Sequence, residues 1–166
     1  MAEKLVQMTL RLTEPLKSAL AAKAAREGQE EADYAAGVLA RHLMDVIGEQ
    51  NPKEAERMRA ELEIKDRMIS LARKFKAEDG FDPSVTLKVF QHLKNDEDMD
   101  RKYRTAIGGR PGNEKGNPIK ARINRSLGAA IKTAVGARPE KTANGDPVKV
   151  PVSGEYIFSY TLLARA

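Results

Sequence analysis

The chain opens with an alternation of polar and apolar residues. Between Lys4 and Leu12 every second residue is apolar, which is typical of a strand with one buried face. Val6, Met8 and Leu10 share that face with Leu12, and the residues between them point the other way. A lone strand followed by two short helices cannot close a core, whereas two copies can pair their strands and pack four helices behind them.

After this strand the spacing of apolar residues changes to three and four, which predicts helices. Thr13 is the predicted N-cap of a first helix that runs to about Glu27, and Gly28 is its predicted stop. A second helix is predicted over about 30–46, ended by Gly48. Both helices are short and rich in alanine, so their apolar faces are narrow.

Three later helices are marked by a capping residue followed by proline at the first helical position. These pairs are Asn51-Pro52, Asp82-Pro83 and Asn117-Pro118. They predict helices over about 52–76, 83–94 and 118–135, and a further helix is predicted over 99–107. The helix that starts at Pro52 is mostly charged in its first half, so we interpret it as a connector whose far end docks on a C-terminal domain.

Alternating apolar residues return near the end of the chain. Residues 148–152 and 156–163 predict a β-hairpin that turns about Ser153-Gly154, and Pro147 and Pro151 make its first strand an edge strand. The predicted fold is therefore mainly helical and has three parts. Residues 1–48 form an N-terminal module, residues 49–80 a helical connector, and residues 81–166 a small α+β domain with a hairpin.

Charge distinguishes the last third of the chain from the rest. Residues 101–166 carry 13 Lys and Arg against 4 Asp and Glu, a net charge of +9, while each of the two preceding stretches of 50 residues has a net charge of −2. Clustered positive charge of this kind favours a polyanionic partner. The chain has no Cys, no apolar run long enough for a membrane span and no signal-peptide pattern, so we expect a cytoplasmic protein without a membrane partner.

The stretch from Met8 to Leu16, together with the turn Ala25-Arg26-Glu27-Gly28, resembles the ribbon-helix-helix family of DNA-binding proteins, the Arc/MetJ/CopG type. The resemblance covers about residues 4–47. It implies a ribbon-helix-helix module, an obligate homodimer whose antiparallel two-stranded ribbon enters the major groove of DNA. The turn before the second helix departs from the family pattern, because it carries carboxylates at 30, 31 and 33, where family members usually anchor phosphate.

The base-reading positions that the resemblance implies fall on Gln7, Thr9 and Arg11. Their side chains suit this role, since Arg can bridge guanine O6 and N7, Gln can pair with adenine, and Thr can donate to a base or contact a thymine methyl. Contacts to the DNA backbone are predicted for cations of the helix over 118–135. These are Lys120, Arg122, Arg125 and Lys132.

These features predict sequence-specific binding of double-stranded DNA by a dimer, as a transcriptional regulator associated with the nucleoid. One alternative is a plasmid or phage accessory factor for partition, mobilisation or packaging. Another is an interaction protein, in which the ribbon only dimerises and the C-terminal domain binds a protein partner. The sequence shows no nucleophile–base pair, metal cluster or phosphate-binding loop, so we expect neither an enzyme nor a cofactor.

Overall fold

Seven α-helices and four short strands form the part of the chain described by the structure, a computed structural model that covers residues 6–166. The helices are α1 (Glu14–Arg26), α2 (Glu31–His42), α3 (Met44–Gln50), α4 (Pro52–Asp79), α5 (Val85–Asn95), α6 (Glu97–Ala106) and α7 (Pro118–Ala134). The strands are β1 (Ala137–Pro139), β2 (Lys149–Pro151), β3 (Ser159–Thr161) and β4 (Leu163–Arg165). The predicted mainly helical fold with strands near the C-terminus is confirmed.

The strand predicted over residues 4–12 is not formed in the single chain. Residues 6–13 belong to no helix or strand, and residues 4 and 5 lie outside the described residues. The N-terminal ribbon-helix-helix module is therefore not supported by this structure: helices α1 and α2 are present, but the ribbon is not. The physical reason is that a strand needs a neighbour for its main-chain groups, and one copy of the chain offers residues 6–13 no such neighbour.

The second predicted helix extends further than expected and is interrupted at Leu43. The helical ladder passes through Leu43, whose amide donates to the Leu39 carbonyl at 3.0 Å, while the Leu43 carbonyl accepts from the Ile47 amide at 3.0 Å. Leu43 itself leaves the helical conformation, with ψ near 5°, and so divides α2 from α3. Gly48 does not end the helix, because α3 continues to Gln50.

Two of the three predicted helix caps are formed as expected. The Asn51 side chain accepts from the Glu54 amide at 3.2 Å, and the Asn117 side chain accepts from the Lys120 amide at 3.1 Å. Asp82 plays a different part: its carboxylate accepts from the amide and the hydroxyl of Ser84, both at 2.7 Å. It thus closes a turn, and α5 starts three residues later than Asp82.

Helix α4 passes through the core of the structure and packs against α3, α5, α6 and α7. Its residues Ile64, Met68 and Ala72 are almost completely buried. They belong to one apolar cluster with residues of α5, α6 and α7 and with Leu163 of β4. Helix α4 is therefore a central element of this cluster, in addition to joining the N-terminal helices to the rest, while the predicted division of the chain at residues 48 and 80 stays a prediction.

The strands form two antiparallel pairs. Strand β2 pairs with β3, Val150 opposite Tyr160, which confirms the predicted hairpin, although its connection spans residues 152–158 and is longer than the expected connection of residues 153–155. Strand β1 pairs with β4, Arg138 opposite Ala164, a pairing that the sequence pattern did not predict. The Leu163 amide also donates to the Pro83 carbonyl at 3.0 Å, which fixes the strand region to the start of α5.

Candidate functional site

Large apolar side chains are exposed along the N-terminal segment and the first three helices. Val6 is 81% exposed and Met8 is 68% exposed, and exposure falls toward Leu12 as the chain approaches α1. The set that we call the N-terminal apolar surface comprises Val6, Met8, Leu10, Leu12, Leu16, Val38, Leu39, Leu43 and Val46. Among the described residues, the other large apolar side chain with comparable exposure is Phe158. So much apolar surface in one stretch of chain is typical of an interaction site.

The predicted base-reading residues lie on the same segment. Gln7, Thr9 and Arg11 are exposed and alternate along the chain with residues of the N-terminal apolar surface. In a strand, alternate residues occupy opposite faces, so covering the apolar side would leave these polar side chains on the outer face. Their contact with DNA bases stays a prediction.

Besides the packing of α3 on α4, specific contacts hold α1 and α2 against the rest of the structure. The Arg41 guanidinium pairs with the Asp66 carboxylate at 2.6 Å, and the Arg73 guanidinium donates to the Arg26 carbonyl at 2.6 Å. Gly28, with φ of +62°, packs so closely on α7 that a Cβ atom there would lie 2.9 Å from the Ala134 Cα. The turn between α1 and α2 is thus held against both α4 and α7.

Lys120, the first of the predicted phosphate contacts, uses its ammonium group inside the protein. The side chain is buried, its Nζ donates to the Glu114 carbonyl at 2.9 Å, and the same Nζ lies 4.5 Å from the centre of the Phe158 ring. Burial lowers the pKa of Lys120. The ammonium therefore holds the 108–117 loop and the Phe158 side chain together, and little of it faces solvent.

Arg122 is also engaged within the protein. Its guanidinium donates two hydrogen bonds of 2.7 Å to the two carboxylate oxygens of Glu61 on α4, a bidentate pair. Arg125 and Lys132, by contrast, line an open groove beside α7. The structure thus separates the four predicted cations into two that fasten α7 to its neighbours and two that face this groove.

The groove runs between α7 and the strand region and has a volume of about 390 Å³. Three cations line it, Arg125 and Lys132 from α7 and Lys149 from β2, and the residues that line it include no carboxylate. Its apolar lining includes the buried side chains of Phe90, Ile157 and Leu163. We call this site the basic groove. Lys149 was missed at the sequence level, because it reaches the groove only through the fold of the hairpin.

Strand β3 lies along the basic groove, and its edge away from β2 is open at Ser159 and Thr161, while the Pro83 carbonyl occupies the same edge at Leu163. The Val152 amide donates to the Phe158 carbonyl and the Leu162 amide to the Val148 carbonyl, both at 2.9 Å. In an antiparallel pair, hydrogen-bonded residues alternate, so the main-chain groups of Ser159 and Thr161 point away from β2. No second strand pairs with β3 among residues 6–166.

A hydrogen-bond network next to the basic groove joins α6, α7 and the segment that leads into β3. Tyr103 and Tyr156 stack with their ring centres 5.3 Å apart. The Tyr103 hydroxyl donates to the Asn124 side chain at 2.6 Å, and the Asn124 amide donates to the Tyr156 carbonyl at 3.0 Å. Burial raises the pKa of both tyrosines, so their hydroxyls stay protonated and act as hydrogen-bond donors.

Other kinds of site are not apparent in the described part of the chain. Residues 6–166 bring together no group of three or more His, Asp or Glu side chains that could hold a metal ion. None of the helices within this range has the length and apolar character needed to span a membrane.

Comparison with known proteins identifies no relative. No protein-family model matches the chain, and neither the curated proteins nor the solved structures provide a match. The N-terminal apolar surface and the basic groove are therefore the two features of the molecule that bear on its function.

Proposed function

We propose that the protein is a dimer that binds duplex DNA with sequence specificity through residues 6–12, as a transcriptional regulator does. The observation that carries this proposal is the N-terminal apolar surface, which is exposed in one copy of the chain and begins in a segment without a strand partner. A second copy supplies both missing partners at once, because two such segments can pair antiparallel and cover each other's apolar faces.

The polar face of the paired segments would carry Gln7, Thr9 and Arg11. A two-stranded ribbon is narrow enough for the major groove, where these side chains can read base edges. Carboxylates at the start of α2 argue that phosphate is contacted elsewhere, and the net charge of +9 over residues 101–166 offers a general attraction for DNA. Lys120 and Arg122 contribute least to this attraction, since internal partners engage their charged groups.

The decisive experiment is selection of binding sites from a random duplex library with the full-length protein, combined with light scattering of the free protein. We expect one enriched motif with two-fold symmetry, and a mass twice that of the 18.3 kDa chain. A library that stays random after several rounds would contradict sequence-specific binding. A symmetric motif lost on changing Gln7 and Thr9 together to Ala would assign the reading to the N-terminal segment.

A protein-interaction function is the second candidate, and the basic groove is the observation that favours it. A concave site with an apolar floor, a few cations and an open strand edge offers apolar and main-chain contacts that a peptide can use and a DNA backbone cannot. The two functions are compatible, because they use separate parts of the chain.

A further inference from the structure

We propose that the basic groove binds an extended acidic peptide segment of a partner protein, which adds a strand to the open edge of β3. This inference does not depend on DNA binding by the N-terminal segment. Three features of residues 6–166 meet in one groove: main-chain groups of β3 without a strand partner, a stretch of small residues on the helix wall between its cations, and positive charge without a carboxylate in the lining.

The open edge supplies the backbone contacts. Ser159 and Thr161 are two residues apart on β3, so their outward main-chain groups are about 7 Å apart, the repeat of an incoming strand. Addition of a strand to such an edge gives affinity through main-chain hydrogen bonds, while alternate side chains of the peptide give specificity.

The opposite wall of the groove leaves space for that strand. Helix α7 faces the groove with Ala121, Gly128 and Ala129, and a Cβ atom added at Gly128 would meet nothing within 4 Å. A peptide strand needs about 4.8 Å from β3 in the hydrogen-bonding direction, so bulky side chains at these positions would stand in its way.

The charges of the groove select the peptide. Arg125, Lys132 and Lys149 form no ion pair with a carboxylate of residues 6–166, whereas cations on the other side of α7 do, such as Arg122 with Glu61. Of the acidic residues on the strand side, Glu140 and Asp146 are exposed on the 140–147 connection, and Glu155 pairs with Lys94 of α5 at 3.6 Å. A peptide that alternates acidic with apolar residues would meet the cations on one face and the floor of Phe90, Ile157 and Leu163 on the other.

A nucleic acid fits these features less well. Phosphate groups would use the three cations, but they would leave the apolar floor and the main-chain edge of β3 without partners. The peptide uses all three features, and binding of DNA to the groove is the competing outcome of the test.

The test is titration of the full-length protein with the peptide acetyl-Glu-Val-Glu-Val-Glu-amide, followed by amide NMR. We expect the Ser159 and Thr161 amide signals to shift and their hydrogen exchange to slow, because the peptide pairs with them. The same peptide with N-methylated backbone amides should bind at least about tenfold more weakly, since it cannot donate to the β3 edge. The basic counterpart with Lys in place of Glu should not bind.

Matched variants identify the contacts. Gly128→Leu narrows the groove and leaves its charge and the strand edge unchanged. The double variant Arg125→Gln with Lys132→Gln removes charge and leaves the strand edge unchanged. We expect each of the two variants to bind the peptide about tenfold more weakly or worse. Lys53→Gln, an exposed cation at the start of α4, is the control and should bind as the wild type does. Thermal unfolding of each variant shows that the fold is kept.

Three results would overturn the proposal. The first is no binding at millimolar peptide, and the second is binding that N-methylation does not weaken, because then β3 is not used. The third is a random-sequence DNA duplex that shifts the Ser159 and Thr161 signals and displaces the peptide, which would make the groove a nucleic-acid site. Failure of sequence-specific DNA binding would leave all three outcomes unchanged, so the two proposals are tested separately.

Discussion

At the residue scale, the missing side chain of Gly112 allows the close packing of its loop on Tyr156. A Cβ atom at this position would lie 2.5 Å from Cζ of the Tyr156 ring, and the ring is held from behind by its stack on Tyr103. We expect Gly112→Ala to lower the free energy of unfolding by about 1–3 kcal/mol, because the ring or the loop must move. Denaturant unfolding measures this change.

Gly128→Ala is the matched control for that experiment. Gly128 lies inside α7 and a Cβ atom there meets nothing, so alanine should raise the free energy of unfolding by roughly 0.5–1 kcal/mol through helix propensity alone. Equal effects of the two substitutions would mean that the close packing of Gly112 on Tyr156 is not a stabilising contact of the fold.

Lys120 allows a direct comparison of stability with DNA binding. Lys120→Met keeps an apolar stem of similar length but removes the hydrogen bond to the Glu114 carbonyl and the contact of the ammonium with Phe158. We expect a loss of about 1 kcal/mol in stability and an unchanged salt dependence of DNA binding. Fluorescence anisotropy at several salt concentrations measures the second quantity. A flatter salt dependence would show that Lys120 contacts phosphate after all, as the sequence predicted.

At the scale of elements, the most specific prediction concerns the N-terminal segment. Arg11→Ala should weaken binding to the selected DNA motif by about 1–3 kcal/mol, the value of one bidentate contact to guanine, with a much smaller effect on random duplexes. Arg59→Ala, an exposed arginine of α4, is the control and should leave both affinities unchanged. Equal weakening on both kinds of DNA would make Arg11 a phosphate contact.

Local signals predicted the helices well, because each depends on a few neighbouring residues. Asn51 and Asn117 with the prolines that follow them give the starts of α4 and α7 correctly. Local signals failed where distant contacts decide the structure. The pairing of β1 with β4 joins three-residue strands that are far apart in sequence, and such short strands leave no clear alternation to detect.

The candidate site could be predicted only in part for the same reason. Lys120 could have been recognised as buried, since it lies seven residues before Leu127 and therefore on the same face of the helix as that buried residue. Glu61, the partner of Arg122, and the groove lining from Lys149 and β3 depend on tertiary contacts that no local spacing indicates.

At the scale of the whole molecule, the apolar core and the N-terminal apolar surface are separate. The core cluster begins at Ala60, so Leu10→Glu should abolish the dimer and leave the helical body folded. Light scattering is expected to give the mass of one 18.3 kDa chain, with circular dichroism close to that of the wild type. Thr9→Glu adds the same charge on the opposite face of the segment and should stay dimeric. A wild-type protein that is monomeric at micromolar concentration would contradict the dimer itself.

Helix α7 contacts both proposed sites, the basic groove and the turn that supports the N-terminal helices. Arg125 and Lys132 face the basic groove, while Ala134, half a turn beyond Lys132, supports the Gly28 turn that positions α1 and α2. A small shift of this one helix would change the surroundings of both places, and allosteric coupling would follow if the two ligands favoured different positions of the helix. Such coupling is reciprocal: a peptide that changes the affinity for DNA by a given factor must have its own affinity changed by DNA by that same factor.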